Sequence, residues 1–322
     1  MRGIGLLAMA FLLAVPVVAG PKKSVLRFKT WQEAGPPEKC VDVLFVGDGY
    51  QRKHLTPKGK YWKDVQRYAR RLFKEPPFEW YRAKFRVRAA FLESKDKGCK
   101  QSPDDQRHDT ALKSQFDSAE GRLLAFTDPA ALKEVVVAAG AVDIVFVMVN
   151  VERYGGAGSV LHAVRVRGGA LPAPTFAAQD TSSFLIAIHE LGHSLAGLAD
   201  GYVDEETAAI RPLPETGEDL PHANATLKEH IDLKNFKTIQ QTAKWKHFLS
   251  LPGAKRRKWA HEGGYFRERG VFRPWRKCMM RARGDPFCPV CCEEMSKAIL
   301  AACGEAWDDV AWHKKYPLRL WK

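Results

Sequence analysis

Two histidines four residues apart, with a glutamate directly after the first, give the segment His189-Glu190-Leu191-Gly192-His193. On a helix that spacing puts both imidazoles on one face, within reach of a single metal ion. Neutral imidazole suits zinc, and a catalytic tetrahedral zinc takes three protein ligands and one water. The Glu190 carboxylate can then aim at the water instead of the ion. Bound zinc brings that water's pKa to about 7, and a carboxylate base takes its proton at modest cost. The third ligand expected is Asp200, an oxygen donor three residues beyond Gly197. In the longer pattern HExxHxxGxxH the glycine and the last ligand fall one residue earlier than Gly197 and Asp200. The expected site is therefore one Zn2+ on His189, His193 and Asp200, with Glu190 as catalytic base.

Such a site needs a helix that is capped, buried and firmly ended. Asp180, Thr181 or Ser182 can cap its start. Phe184, Leu185, Ile188, Leu191 and Leu195 give it apolar sides. Gly197 suits the left-handed residue that closes a helix and turns the chain. Upstream, residues 41–46, 85–92 and 142–149 read as strands, the last the clearest in the chain. Residues 58–72, 109–116 and 129–139 read as helices between them. Strands alternating with helices predict an α/β or α+β fold with a twisted, mostly parallel sheet and helices packed on it. Residues 154–158 read as a glycine-rich loop, and 160–166 as an edge strand beside the cleft, able to hold an extended peptide by its backbone. Beyond Asp200, residues 203–235 read as a long loop over the site and 244–251 as a short helix. A hairpin over 263–272, a turn at Cys278-Met279-Met280 and a last helix over 293–302 complete the chain.

The chain has 322 residues, 45% hydrophobic and 27% charged, enough for one large domain or two lobes. Met1-Arg2, an apolar run to Val18 and the small residues Ala19-Gly20 read as a secretory signal peptide over residues 1–20. Nothing later is apolar for long enough to span a bilayer. The mature protein is thus expected to be exported, periplasmic or extracellular, which argues against nucleic acid as a partner. In an oxidising compartment the seven cysteines favour disulfides. The pairs expected are Cys40 with Cys99, across neighbouring strands, and Cys278 with Cys288 or Cys291. The alternative is a structural zinc on Cys278, Cys288, Cys291 and Cys303. The net charge of +14 is densest from Lys255 to Arg283, a solvated cationic face or an attractor of an acidic surface polymer.

Several blocks, taken together, resemble the immunoglobulin A metallopeptidase family of zinc endopeptidases. They are VLFVGDGY (43–50), DTAL (109–112), YGGAG (154–158), HELGHSLAGLADGY (189–202), the EGGY-to-FRP block (262–274), CMM (278–280) and FCPVC (287–291). Where relatives usually read Asp-Glu-Tyr, this chain has Asp200-Gly201-Tyr202. The resemblance implies a metzincin-like catalytic domain with an active-site helix and a small C-terminal lobe. It also implies a methionine turn at Cys278-Met279-Met280 that lays a thioether beneath the histidines. Tyr202 and Tyr265 become candidates for stabilising the tetrahedral intermediate. The expected organisation is a catalytic subdomain over 21–200 and a C-terminal subdomain over 201–322. The expected function is an exported zinc endopeptidase acting on polypeptides through a metal-bound water activated by Glu190. The alternatives are a zinc amidase acting on cell-wall crosslinks and a non-catalytic protein that binds surface polyanions.

Overall fold

The computed structural model describes residues 25–117, 121, 123–126, 129–158, 175–178 and 183–321. The expected signal peptide, the helix caps at 180–182 and the edge strand at 160–166 lie outside the described residues. In chain order the strands and α-helices are β1 (Val25–Gln32), β2 (Val41–Asp48), α1 (Lys60–Leu72), β3 (Phe85–Leu92), β4 (Ser114–Phe116) and β5 (Leu124–Phe126). Next come α2 (Pro129–Ala139), β6 (Ile144–Val149), β7 (Gly156–Gly158), β8 (Thr175–Ala178), α3 (Ser183–Ala196) and α4 (Glu205–Ile210). The C-terminal part adds β9 (Thr226–Leu227), α5 (Phe236–Thr242), β10 (His261–Gly264), β11 (Arg267–Arg273), α6 (Pro289–Ala302) and α7 (Asp309–Lys315).

Among the described residues the main sheet has six strands in the order β1-β3-β2-β6-β8-β7. Its centre is parallel, as expected: β2 lies parallel to β3 and to β6, and β6 parallel to β8. Both outer strands run antiparallel, β1 on β3 and β7 on β8. The sheet is therefore mixed, with β1 and β8 unforeseen and the YGGAG glycines forming edge strand β7 instead of a loop. Alternation along the buried strands divides two cores. Val41, Val43 and Phe45 face one side with Phe85, Val87 and Phe146, packed beneath α1, α3 and the C-terminal segments. Leu44 and Val46 face the other side with Val145 and Val147, covered by α2 and residues 111–116. A sheet covered on both faces explains why all eight residues of β2 are buried. The first core also takes in Phe248, Met280, Cys291 and Trp321, so it runs across residue 200 without a break.

Residues 109–116 are not helical, and the reason is Asp48 at the end of β2. Its fully buried carboxylate accepts hydrogen bonds from Leu112 N–H and Ser114 N–H at 2.9 Å each and from the Thr110 hydroxyl at 2.9 Å. Ala111 N–H is taken by Ser94 Oγ at 3.0 Å. Backbone donors committed to a carboxylate and a hydroxyl cannot close helical turns. The GDGY and DTAL blocks are thus the two halves of one buried contact.

The expected Cys40–Cys99 bridge is contradicted. Cys40 precedes β2, whereas Cys99 follows Gly98, whose N–H reaches the Gly49 carbonyl just beyond the opposite end of β2. Parallel neighbours place a residue before one strand and a residue after the other at opposite ends of the sheet. Eight residues of strand separate them by on the order of 25 Å, and no disulfide joins any of the seven buried cysteines. Further along, 244–251 forms a short 3-10 turn at Lys246–Ser250 in place of an α-helix. The span 203–235 carries α4, capped by Asp204 on Thr207 N–H, and the short strand β9. α6 starts earlier than expected because Pro289 occupies its first turn, and α7 follows it. Several cations of the basic stretch are spent on the fold. Arg273 donates to the His261, Glu262 and Gly263 carbonyls, Arg267 to the Ala208 and Arg211 carbonyls, and Arg257 to that of Leu318. No helix among the described residues is long and apolar enough to cross a membrane.

Candidate active site

Helix α3 carries His189 and His193 on the face expected from their spacing. It packs against β7, β8 and α6, burying Phe184, Ile188 and Leu191. At its start Ser183 Oγ accepts from Gly155 N–H at 3.1 Å, which ties the helix to the β7 end of the sheet. At its end Gly197 adopts φ +59°, and its N–H returns to the His193 carbonyl at 2.9 Å. Leu198 N–H reaches back further, to the Gly192 carbonyl at 3.0 Å. This wide closure absorbs the extra residue that separates Gly197 and Asp200 from the shorter HExxHxxGxxH spacing, and it returns Asp200 to the helix face.

Three donor atoms converge there. His189 Nε2 lies 2.9 Å from Asp200 Oδ1, His193 Nε2 lies 3.2 Å from the same oxygen, and the two Nε2 atoms are 3.3 Å apart. Each far ring nitrogen faces a backbone carbonyl, His189 Nδ1 that of Met279 at 2.9 Å and His193 Nδ1 that of Leu198 at 2.6 Å. A carbonyl can only accept, so both Nδ1 atoms carry the proton in the neutral rings and both Nε2 lone pairs point inward. Two lone pairs and a carboxylate oxygen at this separation repel unless a cation lies among them. A tetrahedral zinc with donor bonds of about 2.0–2.1 Å has donor–donor edges of about 3.3 Å. The His189, His193 and Asp200 set therefore fits zinc in donor type and in size.

The protonation energetics carry the same sign. Burial pushes the His193 imidazole down, but the Asp200 carboxylate hydrogen-bonded to it, with Glu190 nearby, raises it to about 9. Burial pulls the Asp200 carboxyl up, and the hydrogen bonds from His189 and His193 outweigh this and hold it well below the usual carboxylate range. Without a metal the cluster thus keeps a proton where a cation would sit. The Tyr202 phenol is raised by burial and by the Asp200 and Glu190 charges, so it remains a hydrogen-bond donor at neutral pH. Its ring lies 6.3 Å from that of His189. Tyr265 is placed differently: its ring neighbours His222 at 5.7 Å, while its N–H holds the Asp200 carbonyl at 2.8 Å.

The floor of the site comes from distant sequence. A Cβ on Gly192 would overlap Met280 Sδ and stand 3.3 Å from Phe287, so the helix backbone rests directly on that thioether. Met280 also accepts from Gly201 N–H at 2.6 Å, and a side chain at Gly201 would press within 3.2 Å of Arg281 Cβ. Phe266 N–H to the Tyr202 carbonyl and Asp204 N–H to the Phe266 carbonyl extend this pairing along residues 200–204.

Two contributors escape sequence reasoning. Asn224, buried in the span read as a loop, accepts from Ala199 N–H and donates to the Ala199 carbonyl, both at 2.8 Å. It clamps the residue before Asp200. His222 sits nearby, its Nδ1 2.6 Å from the Gly197 carbonyl. Burial, with the charge of His193 close by, lowers its basicity. Neither belongs to a short motif; their only signal is an Asn and a His within a polar, proline-bearing span.

No curated protein matches the chain. The family model described as IgA Peptidase M64 matches residues 30–255. The match takes in His189, Glu190, His193, Asp200 and Asn224, and it ends before Tyr265, Met280 and the C-terminal cysteines. It covers well over half of the 322 residues, and the chain belongs to the IgA peptidase M64 family.

Proposed function

We propose that this chain is an exported zinc endopeptidase of metzincin-like construction, with His189, His193 and Asp200 as ligands and Glu190 as general base. Family membership supports a peptidase and hence a polypeptide substrate. The observation that carries the metal assignment is the convergence of two lone-pair-bearing Nε2 atoms and one carboxylate oxygen within 3.3 Å of one another. When bound, zinc would supply the Lewis acidity that polarises the scissile carbonyl and acidifies the attacking water.

The chain's own residues do the rest. Glu190 follows His189 on a rigid helix, and its charge is felt at both His193 and Tyr202, so its carboxylate borders the ligand cluster. It takes a proton from the attacking water as the C–O bond forms, then passes that proton to the leaving nitrogen as the C–N bond breaks. The Tyr202 phenol can donate to the oxygen on which negative charge develops. Tyr265 supports the same step less directly, through its backbone hold on Asp200. The Met279 and Leu198 carbonyls orient the two imidazoles by fixing their Nδ1 protons. Met280 supplies the apolar floor of a methionine turn, and edge strand β7 offers backbone groups to an extended substrate.

The test is digestion of a peptide library by the purified chain, with chelator, after zinc restoration, and as Glu190→Gln. Endopeptidase cleavage that chelator abolishes and zinc restores is the expected result, with Glu190→Gln slower by about 10²–10⁴-fold while binding zinc normally. Cleavage confined to peptidoglycan crosslinks would favour the amidase reading. A fully active Glu190→Gln protein would remove the catalytic one.

A further inference from the structure

The C-terminal cysteines form a cluster that the peptidase site does not use. Cys278, Cys288 and Cys291 are buried, and their sulfurs all lie within 4.8 Å of one another. Cys291 Sγ is 3.6 Å from Cys278 Sγ and 3.4 Å from Cys288 Sγ, so it stands almost equally close to both. Cys303 is not part of the group. It closes the far end of α6, twelve residues beyond Cys291 and about 18 Å along the helix, beside Lys84 and Cys40. The four-cysteine set that the sequence offered as an alternative to disulfides is thereby corrected to three.

We propose that Cys278, Cys288 and Cys291 bind a second, structural metal ion, a thiophilic d10 cation of the Zn2+ or Cu+ type. Four observations point this way. Sulfurs around a tetrahedral zinc at about 2.3 Å lie about 3.8 Å apart, and the two separations from Cys291 Sγ, 3.6 and 3.4 Å, need only a small expansion to reach that. A backbone N–H is aimed into the cluster: Cys288 N–H reaches Cys278 Sγ at 3.4 Å, and the Met280 amide also favours the charged form of Cys278. N–H groups aimed at sulfur favour thiolates. Cys288 caps α6 and Cys291 lies in its first turn, where the helix dipole favours negative sulfur. Finally, Arg273 is 9% exposed, acts electrostatically on Cys278 and Cys288, and has an Nε with no hydrogen-bond partner. Three thiolates around Zn2+ leave one negative charge, which this guanidinium offsets.

A disulfide explains the cluster less well, since any pair leaves the third thiol buried against the bridge. Metal binding uses all three, releasing the thiol protons to solvent. Three sulfurs complete a trigonal Cu+ outright, and a tetrahedral Zn2+ with one small added ligand. The ion would sit behind the catalytic floor, because Cys278 leads directly into Met279, which holds His189, and Met280, which supports Gly192.

The experiment is elemental analysis of the full chain, purified with reductant and without chelator, as wild type, as His193→Ala and as Cys288→Ser/Cys291→Ser. Two metal equivalents are expected in wild type and one in each variant. The ion retained by His193→Ala should be released stoichiometrically by a thiol-specific mercurial. If the serine variant does not fold, mercurial titration of wild type reads the same site without mutation. One equivalent in wild type that persists in His193→Ala would uphold the thiolate site and sink the histidine one. A His193→Ala protein free of metal, or a disulfide joining two of the three cysteines in a non-reducing peptide map of protein purified without reductant, would overturn the proposal. The element found separates Zn2+ from Cu+.

Discussion

Asn224→Ala tests whether Asp200, the proposed third ligand, is held from outside α3. Asn224 is 5% exposed and Ala199 2%, and the two hydrogen bonds between them are both 2.8 Å. Truncation leaves the Ala199 N–H and carbonyl buried without partners, at about 1–3 kcal/mol each. Water entry and local relaxation recover part, so a total near 2–4 kcal/mol is expected. How it divides depends on when the segment relaxes. If residues 199–201 stay in place without metal, the loss falls on folding. If they relax and the ion must reorder them, it falls on zinc affinity, at about 1.4 kcal/mol per decade. Gly201 and Asp200 keep their bonds to Met280 and Tyr265, so both should share it, with zinc affinity falling at least about tenfold. The assay is zinc competition against a chromogenic chelator, paired with thermal unfolding of the stripped protein. Asn224→Asp keeps an acceptor for Ala199 N–H but loses the donor, and should fall between. A folded Asn224→Ala protein with zinc affinity within about threefold of wild type and an unchanged Tm would refute the reasoning.

Asp200→Ala removes one of three donors, so zinc binding should weaken markedly while the fold survives; one tight zinc with full activity in that variant would mean another residue is the third ligand. Gly192→Ala should destabilise by about 1–2 kcal/mol, overpacking against Met280 and Phe287 outweighing the gain in helix propensity. Combining it with Met280→Ala should give a loss smaller than the sum of the two, measured by denaturant unfolding. Acid stability should depend on Glu293, whose carboxyl burial would raise but which His247 and Lys297 bring below its ordinary 4.5. A depressed carboxyl contributes stability that is complete above the unfolded value and is lost as pH falls through the folded one. Wild type should therefore lose more stability than Glu293→Gln between about pH 5 and pH 3, and equal losses in an acid titration would contradict this.

Local pattern carried much of the architecture. Runs of β-branched and aromatic residues located β2, β3 and β6, and the 3.6-residue spacing of Tyr61, Trp62, Val65, Tyr68, Ala69 and Leu72 located α1. Hydrophobic periodicity reports which face an element buries, and that is decided within a few residues. The same logic placed His189 and His193 together, since four residues on a helix fix their relative direction. It failed where backbone groups bond far away in sequence. Residues 109–116 have helical composition, yet Asp48, some 60 residues earlier, takes their N–H groups. The edge strands β1 and β7 were equally hidden, because a strand's place in a sheet depends on partners and not on its own residues.

Residue order alone specifies the candidate site's side-chain types and their spacing: two imidazoles, a neighbouring carboxylate and an aspartate just past a helix-ending glycine. Packing sets what those groups can do. Met279 and Leu198 select the imidazole tautomers, Asn224 and Tyr265 hold the chain at Asp200, and Met280 sets the floor under Gly192. The cysteines divide in the same way. Cys278, Cys288 and Cys291 are legible as a group in the sequence, but only the fold sends Cys303 to the far end of α6 and separates Cys40 from Cys99. Spacing along one element constrains direction over a turn or two; convergence from separate elements is set by packing, which no local pattern encodes.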